Sequence, residues 1–78
     1  MDVTIRGEFF KSKIIEQYGS VSSFAEVVDV SRTYIYGLIN GSEKPSIERV
    51  AQFADLLNTT MDDLVIVEFP KEAALATM

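Results

Sequence analysis

Short stretches of helical periodicity, each opened by a hydroxyl residue and closed by Gly, Asn or Asp, fill the middle of this chain. Gly19-Ser20, Asp29-Val30-Ser31, Asn40-Gly41-Ser42 and Pro45-Ser46 mark the breaks. Serine is a favoured N-cap because its hydroxyl accepts an otherwise orphan backbone N–H. Glycine ends helices because it enters the left-handed conformation without a Cβ clash. Helices of about two to three turns are marginal alone. They must pack on one another, and the pattern therefore points to a small helical domain.

The spacing predicts a first helix from about Ile5 to Tyr18, with Phe10, Ile14 and Tyr18 on one face and Lys11, Lys13 and Glu16 pointing elsewhere. A second covers 21–28, with Phe24, Ala25 and Val28 apolar. A third covers 32–39, where Ile35, Leu38 and Ile39 face inward and Arg32, Thr33 and Tyr36 face outward. The fourth, over 47–57, has Ile47, Val50, Ala51, Phe53, Ala54 and Leu57 as its apolar set, with Asn58 as its stop. Thr60 and Asp63 have capping-box spacing for a short fifth helix through about Val65. The apolar run Val65 to Phe69 either extends that helix or forms a strand, and Pro70 interrupts whichever it is. As a strand it would belong to the core or, if exposed, to a dimer interface. The expected fold class is all-α: a compact five-helix domain over 1–69, with 70–78 as a frayed C-terminal tail.

Composition removes whole classes of chemistry. The 78 residues include no Cys and no His. Disulfides, thiolate nucleophiles, imidazole bases and Cys or His metal sites are therefore out of reach, and no enzyme activity or cofactor is expected. No apolar run approaches the roughly 18 residues of a membrane span. The opening residues show no basic segment followed by an apolar one. A cytoplasmic protein is expected, with no membrane partner and no small-molecule ligand evident.

The informative block is Val21 to Gly41. Ala25 is small enough for a second helix to cross the first closely, and Asp29, four positions on, is a residue type that tolerates positive φ. Ile35 and Leu38 are placed to lock the crossing. This is the pattern of a helix-turn-helix.

The stretch Phe10 to Leu64 resembles the Xre/Cro-type, lambda repressor-like helix-turn-helix regulators. The matching residues are Phe24-Ala25, Val30 to Ile35, Asn40-Gly41, Lys44-Pro45-Ser46, Leu56-Leu57-Asn58 and Asp62-Asp63-Leu64. The run Arg32-Thr33-Tyr34-Ile35 with Gly37-Leu38 and Asn40-Gly41 is also similar to the controller proteins of restriction–modification systems. Phage Cro proteins and immunity repressors fit nearly as well. The resemblance implies a transcriptional regulator that binds a palindromic operator in double-stranded DNA as a homodimer. It places Arg32, Thr33 and Tyr36 at major-groove base edges, and Ser22, Ser31, Asn40 and Lys44 at phosphates. Tyr34 is ambiguous between DNA and a core edge. Three positions depart from the family pattern. Val21 stands where a phosphate-clamping Gln is usual, Asp29 replaces the turn Gly, and Gly37 occupies a recognition-helix position where many relatives have a larger polar side chain.

Net charge weighs the other way. At −5 the chain lacks a basic footprint. Residues 61–78 hold Asp62, Asp63, Glu68 and Glu72 against Lys71, a net −3, leaving −2 for the other sixty. DNA binding therefore requires the acidic end to be turned away from Arg32, Lys44 and Arg49. A competing expectation is a protein-interaction module, antitoxin-like or anti-repressor, with the same fold and weak or no DNA binding.

Overall fold

Hydroxyl side chains open four of the five helices described. The computed structural model describes residues 2–68. Its order is β1 (Asp2–Ile5), α1 (Gly7–Tyr18), α2 (Val21–Val28), α3 (Arg32–Asn40), α4 (Ile47–Leu56), α5 (Met61–Leu64) and β2 (Val65–Glu68). Ser20, Ser31 and Ser46 each accept a backbone N–H three residues on at 3.1 Å, and Thr60 does so at 3.2 Å. Each such cap stabilises by about 1 kcal/mol. Only α1 starts without a side-chain cap, at Arg6. Tertiary contacts fix it instead. The Arg6 N–H donates to the Leu64 carbonyl at 2.8 Å, and its Nε donates to the Val65 carbonyl at 3.3 Å.

Three buried phenylalanines join α1, α2 and α4. The Phe10 ring meets Phe24 edge-on at 6.0 Å between centroids and Phe53 at 5.3 Å; Phe24 and Phe53 are 5.6 Å apart. All three are fully buried, as are Ile14, Ile35, Leu57 and Leu64. Burying each of these side chains contributes roughly 1.5–3 kcal/mol. Tyr18 spans the end of α1 and the end of α4, its ring 5.1 Å from Phe24 and its hydroxyl donating to the Leu56 carbonyl at 3.0 Å.

The expected five helices are present, together with a small sheet that the all-α expectation omitted. Ile5, expected to begin the first helix, instead ends β1, which is antiparallel to β2 with Ile5 opposite Val65 and Val3 opposite Val67. Val3-Thr4-Ile5 is β-branched throughout, which suits a pleated strand, and Ile5 is buried. The helix therefore starts at Gly7. The ambiguous run after α5 is a strand, so α5 ends at Leu64 rather than about Val65. A second correction concerns α4. Ile47 is 68% exposed and Ala51 is exposed, so neither belongs to the core. Ile47 is the first residue of α4, where it lines an open apolar groove instead of the core. The expected 70–78 tail lies outside the described residues.

Candidate nucleic-acid interface

The corner between α2 and α3 is held by Asp29. This residue is in the left-handed region at φ 62° and ψ 48°. Its N–H donates to the Glu26 carbonyl at 3.2 Å, and the Val30 N–H reaches back to the Ala25 carbonyl at 3.0 Å. That pair of bonds closes the last turn of α2 and redirects the chain into α3. Ala25 is 2% exposed, as the close crossing requires, and Ile35 and Leu38 are buried beneath α3. At the other end of α3, Gly7 lies against the Ile39 backbone, where an added Cβ would collide with the carbonyl. Thus α3 is clamped by α2 near its start and by the start of α1 near its end.

This clamping leaves one side of α3 open. Arg32, Thr33, Tyr36 and Asn40 are all exposed, Tyr36 at 48%. Stepping about 100° per residue, they fall within one continuous sector opposite Ile35 and Leu38. The sequence-predicted residues of α2 and the caps border it. Arg32 Nη1 donates to Ser22 Oγ at 3.4 Å, bringing the first residue of α3 to the first turn of α2. Ser31 Oγ accepts the Tyr34 N–H at 3.1 Å, which leaves its own hydroxyl proton to donate outward. Asn40 Oδ1 accepts the Ser42 N–H at 3.0 Å, which commits the oxygen and orients the amide NH2. Lys44 is exposed in the loop that follows. Tyr34 is half-buried and packs against the core.

Two departures acquire physical reasons. Val21 is 4% exposed and belongs to the core, so its side chain serves packing at the start of α2. Gly37 is buried although it lies at the flank of the open sector. The loop after α3 folds over it: the Glu43 N–H donates to the Gly37 carbonyl at 3.0 Å, and Ser42 Oγ approaches the same oxygen at 3.5 Å. Glu43 therefore lies beside the α3 face, a neighbour that sequence patterning missed. An unexplained glycine inside a helix was the one available signal.

Other flagged residues lie elsewhere. Lys13 is 4.0 Å from Glu16 and its ammonium sits 5.7 Å from the Phe9 ring centroid, an ordinary surface arrangement. Arg49 Nη1 donates to Gln52 Oε1 at 3.0 Å along α4. Asp62 and Asp63 lie in the first turn of α5, where carboxylates complement the helix dipole. That helix packs on α4 and β2, whereas α3 packs on α1, α2 and β1. An apolar groove of about 250 Å³ is formed by α4, α5 and the two strands, lined by Val3, Ile47, Val50, Met61, Asp62, Val65 and Val67.

Two short helices joined through a left-handed turn, with a polar exposed face on the second, define a helix-turn-helix domain. Residues 11–64, more than two-thirds of the chain, match the helix-turn-helix family. The protein belongs to this Xre/Cro-type family of DNA-binding regulators, which is non-enzymatic. No curated protein and no solved structure matches the chain significantly. Among the described residues, no helix is long and apolar enough to cross a membrane.

Proposed function

We propose that the protein is a cytoplasmic, sequence-specific transcriptional regulator that binds a palindromic operator as a homodimer. Helix α3 enters the major groove. Arg32 pairs with guanine O6 and N7, and Thr33 and Tyr36 meet neighbouring base edges. Ser22, Ser31, Asn40 and Lys44 hold phosphates and set the register. The observation that carries this reading is the open sector of α3, whose first residue is tied to α2 through Arg32 and Ser22. Helix N-termini also attract phosphate through their unpaired N–H groups. Dimerisation is supported by the exposed apolar residues Ile47, Ile66 and Val67, of which Ile47 and Val67 line one groove.

Selection of bound fragments from random duplex DNA tests the proposal. A palindromic consensus with half-sites centred about one helical turn, roughly 10 bp, apart is expected. Recovery of unrelated sequences would overturn it.

One observation favours the protein-interaction reading. Val21 is buried at the position where the family resemblance implies a phosphate-clamping Gln. A stoichiometric protein partner with no duplex retained at low salt would select this alternative, and duplex retained alone would reject it.

A further inference from the structure

We infer that Glu43, a loop residue outside the recognition helix, is a specificity-determining residue that reads a cytosine in each half-site. The inference rests on the proposal that α3 enters the major groove, and it adds a base contact which that proposal does not contain.

Glycine inside a helix is unfavourable because it has the most backbone freedom to lose, and a position on an exposed flank gives no general reason to keep it. Here the reason is steric. A Cβ at Gly37 would lie 2.5 Å from Glu43 Cγ, 3.2 Å from Glu43 Cβ and 3.3 Å from Ser42 Oγ. The stem of Glu43 thus fills the space that a side chain at 37 would occupy. Position 37 is one turn beyond Thr33, so the substituted surface belongs to the same side of α3 as Thr33 and Asn40.

The loop is held in place by several bonds. Gly41 takes a left-handed conformation at φ 88°, the Ser42 N–H is fixed by Asn40 Oδ1, and the Glu43 N–H is fixed by the Gly37 carbonyl. Asn40, beside the loop, belongs to the open face. Glu43 itself is exposed, and its carboxylate has no hydrogen bond or ion pair among the described contacts. A carboxylate beside a groove of phosphates is repelled by them, so it needs a donor in return. In the major groove that donor is cytosine N4. Adenine N6 is a weaker match because the acceptor N7 lies next to it, while guanine and thymine present acceptors there.

The experiment measures binding of the full chain and its E43Q, E43A and G37A variants by fluorescence anisotropy. The probe is the duplex selected by the wild type, with each half-site position changed in turn to all four bases. The wild type should prefer cytosine at one position per half-site by about tenfold. E43Q should move that preference toward adenine, which Gln pairs at N6 and N7. E43A should flatten it to less than about threefold. G37A should disturb the same position, because its Cβ displaces Glu43, and leave the others unchanged. Identical base profiles for the wild type, E43Q and E43A would overturn the inference, including the case in which both variants bind every duplex more tightly. A wild type without base preference at any position would instead defeat the DNA-reading proposal itself, a result visible before any Glu43 variant is made.

Discussion

Arg32 Nη1 donates to Ser22 Oγ at 3.4 Å, linking the N-terminal ends of the two helices of the helix-turn-helix. The bond is long and exposed, so it orients the guanidinium while costing little to exchange for a base. Arg32→Lys keeps the charge and removes the planar fork. It should lower affinity for the selected duplex about tenfold with little change in salt dependence, as titration at several salt concentrations would read.

Ser31 and Ser46 cap different helices in the same geometry, at 3.1 Å to Tyr34 N and Arg49 N. Alanine at either position should cost about 1 kcal/mol in urea unfolding. Only Ser31→Ala should also weaken DNA binding, because only α3 is proposed to enter the groove. Equal binding by the two variants would remove Ser31 from the phosphate set.

Gly7 touches the Ile39 backbone, so the collision made by a Cβ cannot be relieved by turning a side chain. Gly7→Ala should destabilise by about 1–3 kcal/mol, even though alanine is the better helix former. A denaturation midpoint at or above the wild-type value would contradict the packing between α1 and α3.

Asp29 pays for its left-handed turn in backbone strain, and its carboxylate sits at the negative end of α2. Both effects favour replacement by glycine. Asp29→Gly should raise stability by about 0.5–1 kcal/mol, and Asp29→Val should lower it by more than about 1 kcal/mol. Thermal melts of the two variants check the order.

Salt dependence tests the electrostatic part. With Lys44 as the one cation proposed to sit on phosphate in each protomer, a dimer should show a log–log slope of about −2 between binding constant and salt concentration. A slope near zero would mean that phosphates are not engaged.

The helix-turn-helix was legible in the sequence because its signals are local. Ser20 and Asp29 bound α2, and Ser31 and Gly41 bound α3, each through a cap made within three or four residues. The strand β1 was not, because Val3-Thr4-Ile5 finds its partner at Val65 to Val67, across nearly the whole chain. Ile47 misled because its apolar type suits the helical period, while its first-turn position leaves it 68% exposed. On the candidate surface, Arg32, Thr33 and Tyr36 could be read from their spacing against Ile35 and Leu38. Glu43 could not, since its place depends on how the loop folds over Gly37. Asp62 and Asp63 are carried on α5, which packs on α4 and β2, while Glu43 places one acidic group beside α3.

Helix α3 is proposed to read DNA sequence through Arg32. Competition between the selected duplex and a scrambled duplex, for the wild type and Arg32→Ala, tests it most directly. The wild type should favour the selected duplex by about 10³-fold or more, and Arg32→Ala should lose at least about tenfold of that ratio. Equal binding of both duplexes by both proteins would contradict the account.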